Sequence, residues 1–393
     1  MSSTKNSILI KHLTPRNFLS FGPDSSGLEL QSLNLLIGPN GSGKSNLIEA
    51  INFMRAAPKE LRDVTRKGGG VQEWIWKGFP DKPACVDWVV NYPQGKMPLR
   101  HTLSFHAIAQ SFAVDDETVE DAFLHPTDPN TQSYYRFSHG KPFLKNSDLA
   151  LLIGLSAIDS VNSILAQRRD PDRFPELAWL AQNYEKIRIY REWSFGRSAV
   201  FREPQKADAR NDVLAEDFSN LGLFLSRLMR TAKTKRMILD RLRDIYDGIH
   251  DLNISVEGGT VQVFFAEGDF SIPATRLSAG TLRYLCLLAI LCDPEPPPLI
   301  CIEEPELGLH PDILPKVADL LRGAATRTQL IVTTHSDILV DAMTETPEAV
   351  VVCSKQDGKT SMERLSKDTL KTWLQDYRLG ELWTKGEIGG TRW

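Results

Sequence analysis

Cysteine is scarce and unpatterned in this 393-residue chain: Cys85, Cys286, Cys292, Cys301 and Cys353 are its five, and no two stand as C-x-x-C. An odd, scattered set argues against a disulfide framework and fits small buried hydrophobes in a reducing compartment. The eight histidines form no H-x-x-x-H pair and no Cys/His cluster, which argues against a structural zinc. Long apolar runs are missing too. The longest, around residues 284–292, is about half a membrane span and is stopped by Asp293-Pro294. Residues 1–18 lack the basic start and apolar core of a secretory signal. A cytoplasmic chain with no membrane partner is therefore expected. Charge of one sign is also lacking. Against 50 Asp+Glu stand 46 Lys+Arg, a formal net charge of −4, so nucleic-acid binding would need a local patch. Without sustained heptads, a long coiled-coil arm is excluded.

What is present is ordinary globular composition, 41% hydrophobic and 24% charged, with a distinctive order of elements. Residues 8–50 read as short strands, Ile8-Leu9-Ile10 and residues 33–37, leading into a glycine-rich turn and a helix over 46–55. Residues 84–145 alternate apolar and polar between turns such as Tyr92-Pro93-Gln94-Gly95, which predicts an antiparallel sheet. Residues 150–250 are mainly helical by the spacing of Leu221, Phe224, Leu225 and Leu228. Strands return at 251–275. Residues 276–354 alternate helix and strand, the pattern of a parallel sheet. The expected division is a nucleotide-head half at 1–150 with an antiparallel lobe, an inserted mainly helical lobe at 151–250, and the second half of the head at 251–393.

Gly38-Pro39-Asn40-Gly41-Ser42-Gly43-Lys44-Ser45 fits G-x-x-x-x-G-K-[ST] between an apolar strand and a helix. The glycines let backbone N–H groups converge on phosphate oxygens at a helix N-terminus. Asn40, Gly41, Gly43, Lys44, Ser45 and Asn46 are the candidate nucleotide-binding residues, with Lys44 reaching the β/γ-phosphates and Ser45 ligating Mg²⁺. Residues 299–304, LICIEE, are an apolar strand ending in two acids. Neighbouring strand residues point opposite ways, so the two should divide two tasks. Glu303 is assigned to Mg²⁺ and Glu304 to the attacking water. Ser278 and Gly280 open a helix 21 residues upstream of the acids, and His335 ends a further strand, Leu330-Ile331-Val332-Thr333-Thr334.

Together these segments resemble the ABC-type ATPases, in particular the RecF/SMC-like branch and its compact stand-alone members. GPNGSGKS is similar to Walker A, LSAGTLR to the signature motif, LICIEEPE to Walker B with its catalytic glutamate, and TTHS to the H-loop. Pro305-Glu306-Leu307-Gly308-Leu309-His310-Pro311 lies where that family has its D-loop, and Asn17-Phe18-Leu19-Ser20-Phe21 is similar to the opening of its heads. The resemblance covers about residues 1–56 and 270–354. It implies an α/β P-loop ATPase head with an antiparallel β lobe, an inserted helical lobe and no long coiled coil. It also implies ATP and Mg²⁺ as cofactors, and a homodimer of heads sandwiching two ATP, where Ser278 and Gly280 act on the partner's nucleotide. Glu304 and His335 would be catalytic. Gln72 is the candidate glutamine-loop residue and third Mg²⁺ ligand. Three readings of the biology follow: an ATPase component of a prokaryotic defence complex with a separately encoded nuclease or toxin effector, a RecF-like repair clamp, and a transporter's nucleotide-binding subunit.

Two segments fall outside these motifs. Over residues 227–243 seven Lys/Arg face one acid, Asp240. Arg230, Lys233, Lys235 and Arg236 are the candidate DNA contacts, with a second, aromatic-interleaved basic stretch at 186–210 containing Tyr190, Trp193, Phe195 and Phe201. The tail at 379–393 holds two tryptophans and four glycines, Gly380, Gly386, Gly389 and Gly390. It either caps the core or docks on a partner.

Overall fold

The computed structural model describes residues 8–123, 132–138, 140–145, 150–152, 159–191, 193, 196, 199 and 202–390. Phe195, Phe201 and Trp393 lie outside the described residues. Two compact units are formed from interleaved stretches of chain. Among the described residues, the unit carrying the glycine-rich loop comprises 8–187, 348–369 and 386–390, and the unit carrying the acid pair comprises 188–347 and 370–385. Within the inserted region one unit ends at Ile187 and the other begins at Arg188.

In the loop unit, an eight-stranded antiparallel sheet includes Ile10–Arg16, Ala84–Val90, Leu99–Ile108, Ser111–Asp121, Ser133–Ser138 and Lys141–Lys145. The alternation at 84–145 is thus realised as predicted, while the first strand begins at Ile10 rather than Ile8. Strand Leu33–Ile37 pairs in parallel with Val350–Gln356, which turns back antiparallel into Lys359–Arg364. All five residues of Leu33–Ile37 are buried, as a strand covered on both faces requires. The helix Lys44–Ala56 follows and buries Leu47, Ile48, Ala50, Ile51, Phe53 and Met54. Phe53 packs its ring 5.8 Å from Phe18, 4.8 Å from Phe105 and 6.1 Å from Phe112. These aromatic contacts brace the helix on the antiparallel sheet.

The same unit contains a closed polar cluster. Glu117 and His101 are essentially without solvent exposure. Glu117 Oε1 lies 3.0 Å from His101 Nε2 and also accepts from the Ser163 hydroxyl, and Oε2 accepts from Ile164 N–H at 2.9 Å. The other ring nitrogen of His101 meets Tyr184 Oη at 3.2 Å. Removing the carboxylate strands several buried donors, each costing about 1–3 kcal/mol. Glu117→Ala is therefore expected to lower the unfolding free energy by roughly 3–5 kcal/mol in a denaturant titration. A loss below about 1 kcal/mol, the worth of an exposed pair, would show that the cluster does not hold the lobe.

In the acid unit, strands Arg188–Tyr190, Leu299–Glu303 and Gln329–Thr333 are parallel, with Glu303 in register with Thr333. Helix Ala279–Leu291 precedes strand Leu299–Glu303, and helix Leu314–Ala325 crosses over from it to strand Gln329–Thr333, the helix–strand alternation read from the sequence. Strands Asp251–Glu257, Thr260–Glu267 and Phe270–Pro273 form antiparallel hairpins with the short strand Gln205–Lys206. The C-terminal helix Leu379–Thr384 buries Leu379, Leu382 and Trp383 and packs on helix Asp337–Asp341. Arg378 pairs with Asp341 at 2.6 Å. Of the two tail readings, core capping describes residues 379–384. Among the described residues the longest helices have 13 residues, and none is long and apolar enough to cross a membrane.

Candidate functional site

The loop between Ile37 and Lys44 is built for close backbone approach. Gly41 has φ +78 and open space beside it. Gly43, at φ +102, is the helix N-cap, and a Cβ there would lie 2.2 Å from Thr360 Oγ1. Glycine is therefore required at 43 on two grounds, conformation and contact. No side chain caps this helix and its first turn carries no acid, so the N-terminal N–H groups and dipole are presented to an anion. Lys44 is 6% exposed and its ammonium donates to Gly38 O at 2.7 Å and Pro39 O at 3.1 Å. Asn40, Gly41 and Ser45 are exposed.

A chain of hydroxyls supports the loop from behind. Asn46 Nδ2 donates to Ser20 Oγ (2.7 Å), which meets Thr360 Oγ1 (2.7 Å), which donates to Ser42 O (2.9 Å). Asn46 thus points to the loop's support rather than outward. Thr360 has no motif around it, and sequence reasoning missed it. In the same unit a cavity of about 300 Å³ is lined by Phe21, Gly22, Asp24, Leu47, Lys359 and Thr360 among others, so two of its walls belong to the loop's own helix and its hydroxyl support. Gln72 lies exposed on the short helix Val71–Trp74, where its backbone carbonyl accepts from Lys77 Nζ at 3.0 Å.

In the acid unit the parallel register carries Glu303, Glu304 and His335 to one end of two neighbouring strands. Glu303 is the last strand residue and half-buried. Its carboxylate faces Arg191 Nε at 3.5 Å, and its carbonyl accepts from Trp193 Nε1 at 2.6 Å. Glu304 leaves the strand at φ +47, a left-handed conformation that costs an ordinary residue about 1–2 kcal/mol. Its N–H donates to Thr333 O at 2.9 Å. The two acids therefore diverge because the backbone turns over between them, rather than by simple strand alternation. Glu304 Oε1 lies 3.7 Å from His335 Nε2, with both side chains 37% exposed. Glu306 Oε1 accepts from Thr334 Oγ1 and from His335 N–H, each at 2.7 Å.

Ser278 caps helix Ala279–Leu291, its hydroxyl accepting from Thr281 N–H at 3.0 Å. A Cβ on Gly280 would stand 3.1 Å from Gly308 O. Arg283 of this helix stacks on Trp193 with its guanidinium 5.0 Å from the ring centre, and burial lowers its pKa to about 10.

Five of the seven cations at 227–243 have acidic partners, two of them sharing Asp240. Arg227 pairs with Asp293 (3.0 Å), Lys235 with Asp251 (2.9 Å), Arg236 and Arg243 with Asp240 (3.7 and 2.8 Å), and Arg241 with Asp244 (3.9 Å). Arg230 and Lys233 remain as exposed cations.

A family profile described as "AAA domain, putative AbiEii toxin, Type IV TA system" matches residues 33–341. The chain belongs to this AAA-domain family. No curated protein matches it. Among solved structures, an Smc head with an extended coiled coil, bound to the C-terminal domain of ScpA and derived from Pyrococcus furiosus, is 15% identical with a TM-score of 0.56. That match covers 94% of this chain and 99% of the other. An SmcHead bound to the C-winged helix domain of ScpA is 16% identical, with TM-score 0.53 and coverage of 93% and 99%. At these identities the shared property is the fold. This AAA-domain protein thus has an SMC-head-like α/β P-loop architecture with an antiparallel sheet.

Ser45 is exposed at the end of the glycine-rich loop, and Glu303 is half-buried with its carboxylate 3.5 Å from Arg191 Nε; each by itself is a hard-oxygen group of the type Mg²⁺ accepts.

Proposed function

We propose that this AAA-domain protein binds ATP with Mg²⁺ and hydrolyses it, and that two copies close on two nucleotides. The observation that carries the reading is the Glu304–His335 pair, a carboxylate held by a left-handed backbone 3.7 Å from an imidazole. It occurs in a chain whose glycine loop ends in an uncapped helix. Lys44 neutralises the β/γ-phosphate oxygens, and the loop N–H groups hold them. The cavity beside Leu47 and Thr360 accepts the base. Ser45 and Glu303 would offer oxygen ligands to Mg²⁺, whose chemistry there would be neutralisation of phosphate charge. Glu304 takes the proton of the attacking water, and His335 hydrogen-bonds the γ-phosphate or that water. We further assign the ATPase to a defence complex with a separately encoded effector; what speaks for a defence role is the toxin–antitoxin wording of the family description, which names no separate effector. Direct DNA contact by this chain would fall to Arg230 and Lys233, since Lys235 and Arg236 are engaged by Asp251 and Asp240.

The composite site is tested through Ser278. Aspartate preserves the N-cap that Ser278 makes to its own helix but repels a partner's γ-phosphate. Ser278→Asp is expected to keep nucleotide affinity and lose turnover by about tenfold or more. Mixing it with Lys44→Ala chains should restore activity, because one mixed interface then combines an intact loop with an intact signature. Wild-type turnover in Ser278→Asp, or no recovery on mixing, removes the dimer from the mechanism.

A further inference from the structure

Glu306 is an acid for which the reaction as assigned above has no role. It sits two residues beyond Glu304, in a turn closed by Leu307 N–H to Glu304 O (3.2 Å) and Leu309 N–H to Glu306 O (3.0 Å). Its Oε1 is the common acceptor for the Thr334 hydroxyl and the His335 N–H. Thr334 is fully buried, and its Oγ1 in turn accepts from Ser336 N–H at 3.0 Å. Ser336 then caps helix Asp337–Asp341 through Leu339 N–H at 3.3 Å. One carboxylate oxygen therefore organises the whole passage from strand Gln329–Thr333 through His335 into the next helix. The second oxygen, Oε2, is buried and makes no hydrogen bond among the described residues. Burial raises the Glu306 pKa against the pull of its two donors. A carboxyl kept here at a desolvation cost, with half its acceptor capacity idle, is poorly explained as packing.

The two ends of the reactive pair are held separately. Glu304 is anchored by its main chain to Thr333 O. His335 is anchored by its main chain to the Glu306 side chain. We propose that Glu306 is a positioning residue, whose carboxylate fixes the His335 turn so that the imidazole stands opposite the Glu304 carboxylate. It touches neither nucleotide nor water and acts only through His335. The proposal rests on the ATPase reading.

The test compares Glu306→Ala, Glu306→Gln and Thr334→Val in the full chain, by phosphate release and by binding of a fluorescent ATP analogue. A displacement of about 1 Å at a reacting group costs on the order of 100-fold in rate. Glu306→Ala is thus expected to lower kcat by about 100-fold with nucleotide affinity held within a few-fold. Glu306→Gln, which keeps a carbonyl oxygen for both donors, should recover most of that loss. The double variant Glu306→Ala/His335→Ala should be no slower than His335→Ala alone, since residues acting as one unit are not additive. Histidine NMR provides a readout independent of turnover: the His335 ring signal should shift in Glu306→Ala and return in Glu306→Gln. Wild-type kcat in Glu306→Ala, multiplicative loss in the double variant, or no recovery with glutamine overturns the proposal. If Glu306→Ala does not fold, Thr334→Val decides, with a smaller loss of kcat expected and unchanged kcat refuting. A wild-type chain that neither binds nor hydrolyses ATP refutes the parent reading instead, and the NMR comparison then still judges the clamp on His335.

Discussion

Glu304→Gln is expected to reduce ATP turnover by about 10²–10⁴-fold, the usual contribution of a positioned base, while binding ATP as tightly as wild type. The substitution keeps size and the hydrogen-bonding carbonyl but removes the basic oxygen. The left-handed backbone at residue 304 is imposed by its N–H bond to Thr333 O. Glutamine inherits that conformation at the same conformational cost, so stability should change little. With chemistry blocked and binding intact, the ATP-bound dimer should accumulate and be visible by light scattering. Retention of more than a tenth of wild-type phosphate release would place the base elsewhere. Glu303→Gln is the informative contrast: under the proposed ligand role of Glu303, its loss should change the Mg²⁺ requirement before it changes the rate at saturating metal.

Lys44→Ala is expected to weaken nucleotide binding by about 100-fold or more. In the structure the Lys44 ammonium is nearly buried and held by two neutral carbonyls, Gly38 O and Pro39 O. Phosphate oxygens would add charge to the same short reach, and hydrogen bonds to charged groups are worth about 1.5–3 kcal/mol each. Losing even one or two of these accounts for about one to four powers of ten in affinity. Arginine should not rescue, because its planar fork does not fit a point-charge position inside a tight loop. The measurement is titration of a fluorescent ATP analogue, with heat denaturation confirming the fold. Affinity within threefold of wild type would mean that the loop binds through its N–H groups alone, or binds no phosphate.

Much of the fold was readable before any coordinates. The alternation at 84–145 became an antiparallel sheet, the spacing at 221–228 became helix Leu221–Met229, and the segments ending at Glu303 and His335 became parallel neighbours. These succeed because period-2 and period-3.6 burial are local properties of the chain. The charge reading at 227–243 succeeded less well. Its surplus of cations is counted in one window, but Asp293 and Asp251, which pair with Arg227 and Lys235, lie outside it. Strand Arg188–Tyr190 pairs with residues more than a hundred positions later, a partnership no local window records.

The division follows physical range. By itself the sequence located the glycine-rich loop, the paired acids, the helix start at Ser278 and the strand-end histidine. Each of these works through contiguous backbone or through a side chain at a fixed offset from a strand end. Only the tertiary structure decided what holds them. Thr360 backs a loop some three hundred residues earlier through Ser20 and Ser42. Trp193 and Arg191 fasten Glu303. Glu306 takes the Thr334 hydroxyl and His335 N–H from across the strand ends. Hydrogen bonds and burial between such distant positions depend on how the strands register, and no local pattern of residues records that register.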